Sequence, residues 1–364
     1  MDENKKTCLH DRHVSLGAQM SPFGGFDMPI QYKGIVEEHN AVRTRCGIFD
    51  VSHMGEVSVT GPDAERYVSH IFTNDIAGAP ACKIFYGMML YPDGGTVDDL
   101  LVYKRGDNDF YLVINAANID KDLQWMRDNA AGYDVTILDL SDTTGEIAVQ
   151  GPASEAAMRD ITGIDFAELG FYTFREVTLL GAPAIVSRTG YTGEDGFEIY
   201  APHDVTRRLW DRFVGTGKAE PCGLGCRDTL RFEVGLPLYG DELSQDISPV
   251  EAGLGIFVKT DGRDFIGRDA VAAQKESGPR RRIVGLELLD RAIPRHGYEV
   301  VDGDNVVGHI TTGYRGISVD KSIAMALVDA SCAIQGKELG VRIRRKTFPA
   351  VVVPKKFYRK NYKK

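Results

Sequence analysis

Two stretches of the chain repeat each other: Gly55-Glu56-Val57-Ser58-Val59-Thr60-Gly61-Pro62-Asp63-Ala64-Glu65 and Gly145-Glu146-Ile147-Ala148-Val149-Gln150-Gly151-Pro152-Ala153-Ser154-Glu155. Each copy predicts a strand, a Gly-Pro turn and the start of an amphipathic helix. Both copies continue in the same way. In the first copy a strand at 109–115 leads into a helix around 121–127, and in the second a strand at 195–200 leads into a helix around 205–213. We therefore predict two strand–helix–strand–strand–helix modules that pack into one α+β unit, and their shared cleft is a natural ligand site.

An acidic pair interrupts a strand in the first module. Residues 94–103 read Gly-Gly-Thr-Val-Asp-Asp-Leu-Leu-Val-Tyr, which predicts a buried strand. Asp98 and Asp99 conflict with this propensity, and such conflicts tend to mark sites. Alternation places Asp99, Leu101 and Tyr103 on one face and Asp98 on the other. A carboxylate beside a phenol suits proton handling or amine binding; the structural alternative is a turn cap at Asp98 and an ion pair at Asp99.

The second module holds a glycine-rich turn before a strand. Three glycines recur at every third position within Ser187–Glu198, with aromatic and acidic residues between them. The stretch has neither the Lys-Ser/Thr of a phosphate loop nor the Gly-x-Gly-x-x-Gly of a dinucleotide fold. It is either a hairpin of structural glycines or part of a site, because Glu198 interrupts its strand as Asp99 does.

Pro221–Asp228 predicts a loop that enters a helix running towards Glu233. Arg227 stands at the start of that helix, where the helix dipole disfavours a cation. We therefore expect Arg227 to face a carboxylate, which could be Asp228, Glu233 or a ligand.

The remaining connections are read from turn residues and periodicity. Residues 21–30 predict an irregular Gly/Pro-punctuated loop, and apolar spacing from Ile35 to Cys46 predicts a helix capped by Gly47. A linker is expected around Lys275 to Arg282. The alternating strand Ile283–Leu288 and repeated glycine turns then indicate a separate all-β domain.

Composition is that of a soluble globular enzyme, with 364 residues, 43% hydrophobic and 26% charged. The length suggests two or three domains. The sequence has no apolar run near the ~20 residues that span a bilayer, and its start resembles neither a signal nor a transit peptide. A net charge of −9 argues against general nucleic-acid binding. We expect a cytoplasmic protein without a membrane or nucleic-acid partner.

Six cysteines are scattered along the chain rather than framed for disulfides or zinc. Cys222 and Cys226 are separated by three residues, and Cys8 lies near His10 and His13, but neither group has a second half. Because tetrahedral sites need three or four ligands, we expect free buried thiols and no metal.

A basic segment ends this acidic chain. From Val341 to Lys364 the sequence carries ten Lys and Arg residues and no acid. Blocks of like charge are often interaction surfaces, and the alternative is a solvated terminus.

Taken together, several motifs closely resemble the aminomethyltransferase (T-protein) family of the glycine cleavage system. The motifs span essentially the whole chain in order, and they are Phe49–Glu56, Gly94–Leu100, Asn115–Asn118, Ser187–Glu198, Gly223–Asp228 and Lys356–Arg359.

The resemblance implies a three-domain cloverleaf around a tetrahydrofolate channel. Its first two α+β domains are interleaved in sequence, as 1–53 with 141–240 and as 54–140 with 241–278. Residues 279–364 form a small jelly-roll-like β-barrel domain.

The resemblance also implies a reaction in which the aminomethyl carbon on lipoylated H-protein passes to tetrahydrofolate. The products are 5,10-methylenetetrahydrofolate, ammonia and dihydrolipoyl H-protein, and P-protein and L-protein act with the chain through H-protein. By position Asp99 is the catalytic acid. The residues implied in folate binding are Tyr86, Tyr103, Asn115, Phe171, Tyr191, Glu198, Arg227 and Arg359. The family often has Tyr at the position of Phe171. Phe171 lacks the hydroxyl group that could contact folate, but its ring can still stack.

Elementary chemistry agrees with this set of residues. A flat pterin and an aryl ring suit aromatic stacking, a glutamate tail suits arginine, and pterin N–H groups need buried acceptors such as Glu198. Asp99 near the folate nitrogens could remove a proton and favour a cationic fragment as the C–S bond opens.

Two other kinds of folate protein share the expected scaffold. One is a folate enzyme with another carbon donor, such as a sulfonium demethylase or the folate domain of a dimethylglycine or sarcosine oxidase. The other is a non-enzymatic protein of the iron–sulfur-assembly type, which a Lys-Gly-Cys loop marks; the corresponding region here, Leu236–Glu242, has no such sequence. The sequence leaves open the oligomeric state, the polyglutamate preference and the choice between a free iminium and direct displacement.

Overall fold

A computed structural model describes residues 4–362. In this range the α-helices are α1 (His10–Ser15), α2 (Ile35–Thr44), α3 (Ala64–Ile71), α4 (Ile119–Asp128), α5 (Ser154–Thr162), α6 (His203–Gly215), α7 (Leu224–Glu233) and α8 (Arg268–Ser277). The strands are β1 (Gln19–Phe23), β2 (Phe26–Gln31), β3 (Gly47–Asp50), β4 (Gly55–Thr60), β5 (Lys83–Leu90), β6 (Thr96–Gly106), β7 (Asp109–Ile114), β8 (Thr136–Asp139), β9 (Thr144–Gln150), β10 (Phe174–Leu179), β11 (Ala182–Ser187), β12 (Gly196–Pro202), β13 (Glu220–Pro221), β14 (Arg281–Leu288), β15 (Glu299–Asp302), β16 (Asn305–Arg315), β17 (Ser322–Asp329), β18 (Glu338–Ile343) and β19 (Lys346–Val353). Within residues 4–362 we find no helix that is both long and apolar enough to cross a bilayer.

The first copy of the repeat builds a five-stranded antiparallel sheet in the order β5-β6-β7-β4-β8. Helices α3 and α4 cover one face, where alternate strand residues meet apolar helix residues such as Tyr67 and Leu123 in a common core. The other face packs against the sheet that the second copy of the repeat builds. The strand carrying Asp99 is therefore central in the sheet and flanked by β5 and β7.

The second copy builds a six-stranded sheet in the order β10-β11-β12-β9-β3-β13. Its strand β3 precedes the whole first sheet in the chain, so the chain leaves this sheet at Asp50 and returns to it at Thr144. An aromatic cluster that includes Tyr103, Tyr111, Phe174 and Tyr200 joins the two sheets.

The predicted repeat is confirmed, with two strands more in each copy than the pattern indicated. Strands β5 and β8 are added at the two edges of the first sheet, and β10 and β13 at the two edges of the second. The domain boundaries given above stay a prediction.

Residues 281–353 close into a barrel in the order β14-β17-β16-β15-β18-β19. The expected all-β C-terminal domain is thus confirmed, together with the α+β class of the rest. Val and Leu side chains from alternating positions, such as Leu286 and Val341, fill the barrel.

Three local expectations were wrong. The segment 21–30 lies in the β1–β2 hairpin, because Gly24 (φ 56°) and Gly25 (φ 84°) supply the positive φ angles of a tight two-residue turn. Gly47 starts β3 instead of capping α2, and a Cβ there would lie 2.5 Å from Val42 Cγ2. The linker is shorter than expected, because α8 extends to Ser277 and β14 starts at Arg281.

The C-terminal segment folds back from the barrel onto the first two modules. The backbone N–H of Tyr358 donates to Glu233 O (2.7 Å), and that of Asn361 donates to Gly193 O (2.8 Å). The ring of Tyr362 stacks on Phe171, with 4.5 Å between centroids. Residues 358–362 are therefore held against the folded chain, although Arg359 and Asn361 are exposed, and an interaction surface here stays a prediction. Lys363 and Lys364 lie outside the described residues.

Candidate active site

The two adjacent acids of β6 point to opposite faces, as alternation predicted. Leu100 and Val102 pack into the core under the helices, whereas Leu101 and Tyr103 pack between the two sheets. Asp99 shares the latter face and is partly buried, while Asp98 is completely buried.

Asp99 is held by hydrogen bonds from both neighbouring strands. The phenol of Tyr86 on β5 donates to Asp99 Oδ2 (2.9 Å), and Asn115 Nδ2, directly after β7, donates to Asp99 Oδ1 (3.0 Å). Burial and then the charge of Asp98 raise the pKa of Asp99 to about 7, although both hydrogen bonds act in the opposite direction. A carboxyl group with this pKa changes its charge near neutral pH, which suits general acid–base chemistry.

The second module contributes the facing wall. Tyr191 donates its phenol proton to Pro237 O, and the guanidinium of Arg227 lies over its ring at 4.5 Å from the centroid. Burial is the main reason why the pKa values of Tyr172 and Tyr191 are raised, and the carboxylate of Asp99 adds to both. Asp99 and these tyrosines therefore lie close to one another where the two modules meet.

Glu198 lies on β12, 8% exposed, and accepts a hydrogen bond from the Thr189 hydroxyl. Burial raises the pKa of Glu198, and the Thr189 bond and nearby Arg227 oppose this. Among residues 4–362 Arg227 has no ion pair. Asp228, one of its expected partners, pairs instead with Arg231 at 2.7 Å. The guanidinium of Arg227 is thus free to face Glu198 and a bound anion or π-system.

Tyr103 lies beneath the cleft instead of on its surface. The residue is completely buried, and its hydroxyl donates to Ser187 Oγ (3.1 Å) and lies 2.8 Å from Tyr200 Oη. Ser187 in turn contacts Thr189, the donor to Glu198. Tyr103 therefore joins the Asp99 strand to the Glu198 strand, and direct folate contact by Tyr103 stays a prediction.

Phe171 contacts this group through Tyr172, with 4.7 Å between ring centroids, and it also stacks on Tyr362. Arg359 on the returning C-terminal segment is exposed. Both stay predicted folate contacts.

Sequence reasoning missed two buried groups close to Arg227. Nδ1 of His53 and Oε2 of Glu146 have no hydrogen-bond partner among residues 4–362. Burial, and then Arg227, lowers the pKa of His53 to about 3, and burial followed by Glu198 raises that of Glu146. The repeat offered a signal, because Glu146 corresponds to Glu56, an acid that is also completely buried within a strand.

The cysteine groups do not form a convincing metal site. Ligand atoms of Glu38, Cys222 and Cys226 lie within 4.8 Å of one another. The Glu38 carboxylate, however, already accepts four backbone N–H bonds from the β2–α2 connection and from Gly223. His10 and His13 diverge, bonding Asp27 and Asp50 respectively.

Residues 9–262 match the GCVT N-terminal domain, and residues 281–359 match the glycine cleavage T-protein C-terminal barrel domain. The chain belongs to the glycine cleavage T-protein family. T-proteins named aminomethyltransferase in Alkaliphilus oremlandii and Thermoanaerobacter sp. are 50% and 47% identical to it, each over the full length of both chains. The crystal structure of the glycine cleavage system aminomethyltransferase T from Bartonella henselae superposes with a TM-score of 0.95 at 32% identity, covering 100% of both chains. As a T-protein, the chain is an aminomethyltransferase, a folate-dependent transferase of one-carbon groups.

Proposed function

We propose that the protein transfers the methylene carbon of the aminomethyl group on lipoylated H-protein to tetrahydrofolate. The products are 5,10-methylenetetrahydrofolate, ammonia and dihydrolipoyl H-protein, and P-protein and L-protein are functional partners through H-protein. All six cysteines are free, which supports a reducing compartment such as the cytoplasm.

The observation that carries this proposal is the setting of Asp99. Its carboxyl group lies where the two modules meet and is held by Tyr86 and Asn115, and burial followed by the charge of Asp98 raises its pKa to about 7. We assign Asp99 as the catalytic residue. In its ionised form it attracts positive charge that develops on the aminomethyl carbon as the C–S bond opens, and it can accept a proton from a reacting nitrogen.

The lining of the cleft fits a reduced pterin. The buried carboxylate of Glu198 and Oε2 of Glu146 suit the N–H groups of a pterin ring. Among residues 4–362, Oε2 of Glu146 and Nδ1 of His53 have no hydrogen-bond partner. Tyr191 with Arg227 offers a flat surface for stacking. Tetrahydrofolate supplies the two nitrogens that receive the carbon; the protein holds the pterin and positions Asp99 beside those nitrogens.

The test uses purified protein, aminomethyl-lipoyl H-protein and tetrahydrofolate. We expect ammonia release that depends on tetrahydrofolate and matches the methylenetetrahydrofolate formed. A parallel reaction offers small methylated sulfonium or amine donors in place of H-protein. Carbon transfer from those donors, with none from H-protein, would contradict the proposal and favour another folate enzyme on this scaffold.

A further inference from the structure

An acid stands in the apolar stripe of α4. Ile119, Leu123 and Met126 belong to the core under the five-stranded sheet, and Asp122 on the same side of the helix is completely buried. Neither carboxyl oxygen of Asp122 has a hydrogen bond from a donor among residues 4–362. The ammonium of Lys121 is 3.4 Å from Oδ1 but donates to Val97 O. Such a burial is costly for an ionised carboxylate.

Asp98 on β6 is the neighbour that explains this burial. It accepts hydrogen bonds from the Asn115 backbone N–H (2.9 Å), Asn115 Nδ2 (2.8 Å) and Asn118 Nδ2 (2.6 Å). Asp122 lies within hydrogen-bonding reach of it. Burial and then Asp98 raise the pKa of Asp122 to about 10, so at neutral pH Asp122 carries a proton and can donate it.

The pair is linked to Asp99 in two ways. The Nδ2 group of Asn115 contacts both Asp98 Oδ1 and Asp99 Oδ1, so one amide fixes the two adjacent acids. The negative charge of Asp98 also raises the pKa of Asp99, next in importance after burial. The other ionisable groups facing the three acids are Tyr86, Lys121, Tyr172, Tyr191 and Tyr239.

We propose that Asp122 and Asp98 are positioning residues for Asp99: Asp122 donates to the Asp98 carboxylate, and Asp98, tied to Asp99 by the shared amide of Asn115, adjusts the charge of Asp99. The assignment of Asp99 as catalytic rests on the proposed function above. The charge relation among the three acids does not.

Three variants separate this role from packing. Asp98→Asn removes the charge, Asp122→Val removes the donor, and Asp122→Asn keeps a donor to Asp98 in the same shape. The titration of Asp99 is followed by ¹³C NMR of protein labelled at the aspartate side-chain carboxyl carbon, with Asp99→Asn assigning the signal. The pH profile of kcat for aminomethyl transfer is measured in parallel.

We expect the Asp99 midpoint to move to lower pH by about one pH unit in Asp98→Asn, because a like charge is lost. Asp122→Val should move it in the same direction, because the negative charge of Asp98 then loses a donor that stabilises it in an apolar core, whereas Asp122→Asn should keep the wild-type midpoint. The acid limb of the kcat profile should follow each midpoint.

An unmoved midpoint in Asp98→Asn, or an equal shift in Asp122→Asn and Asp122→Val, would overturn the inference and leave a packing role. If Asp122→Val does not fold, the comparison of Asp98→Asn with Asp122→Asn decides. If the wild type transfers no carbon from H-protein but the NMR midpoints move as expected, the proposed function fails and the relation among the acids stands.

Discussion

Tyr86 donates a hydrogen bond to Asp99 diagonally across the β5–β6 pair, with 2.9 Å between Oη and Oδ2. Met88 is the residue directly opposite Asp99, so the two side chains are diagonal neighbours on one face of the sheet. The bond favours the ionised carboxylate and opposes burial and Asp98, which raise the pKa of Asp99 to about 7. The phenol therefore adjusts the pH at which Asp99 becomes charged.

Replacing this phenol should make the enzyme less active at neutral pH. Tyr86→Phe removes a bond to the ionised form, so the pKa of Asp99 rises and the acid limb of the kcat profile moves to higher pH. The profile is measured between pH 6 and 9, with Tyr298→Phe on the barrel as the matched control. An acid limb that moves to lower pH would show that the bond favours the protonated acid instead.

Asp99→Asn keeps the shape of the side chain and removes its charge. We expect kcat to fall by about 10²–10⁴, with a far smaller change in tetrahydrofolate affinity. Asp107→Asn, at an exposed position directly after the same strand, is the control and should retain wild-type kcat. Equal kcat in both variants would place the chemistry elsewhere in the cleft.

The same variant should be more stable than the wild type at pH 8. The folded-state pKa of Asp99 lies above its ordinary value of 3.8, so the folded protein holds this proton more tightly than the unfolded chain, and stability falls as pH rises from about 4 through 7. The gain in Tm of Asp99→Asn should therefore be present at pH 8 and vanish near pH 4. A lower Tm at pH 8 would contradict the raised pKa.

Loss of Glu198 should weaken folate binding. Glu198→Ala leaves pterin donors without a buried acceptor, which we expect to cost about 1–3 kcal/mol of binding free energy. Calorimetric titration with tetrahydrofolate measures this, and Glu176→Ala on the edge strand β10 is the control. Wild-type affinity in Glu198→Ala would remove Glu198 from the folate site.

The basic hairpin tip between β18 and β19 is predicted to help dock an acidic H-protein. Arg344 and Arg345 are exposed there, and Arg344 has a left-handed backbone (φ 58°) that Asp tolerates. The double variant Arg344→Asp, Arg345→Glu should raise the KM for H-protein more than that for tetrahydrofolate, and salt should shrink the difference.

Reversal of the hairpin charge is a cleaner test than removal of residues 360–364, because Tyr362 stacks on Phe171. Lys218→Glu, on the surface of the six-stranded-sheet module, is the matched charge control. Unchanged H-protein kinetics at low ionic strength would show that the hairpin tip is only solvated.

Local patterns predicted much of the fold and the central acid of the site. Asp99 stood out because a charge opposes strand propensity, and its face followed from alternation. Strand β5 was missed although the turn Pro92-Asp93-Gly94-Gly95 joins it to β6 in a hairpin, because residues 84–90 are almost all apolar and show no period-two alternation. The burial of Tyr103 also depends on contacts distant in sequence, since its hydroxyl bonds Ser187 and Tyr200. Asp122 was missed because an acid in the first turn of a helix is ordinary until its neighbour is known.

The position of β3 in the sequence predicts which of the two sheets folds first. The five-stranded sheet is complete within residues 55–139, whereas the six-stranded sheet needs β3 at Gly47–Asp50 to meet β9, which starts at Thr144. Closing that long loop costs entropy before any strand contact compensates for it, and nonlocal pairing is slow. The inserted sheet shortens the effective loop once it has formed. In pulse-labelled refolding, amides of β4, β6 and β7 should therefore gain protection from hydrogen exchange before those of β3 and β9.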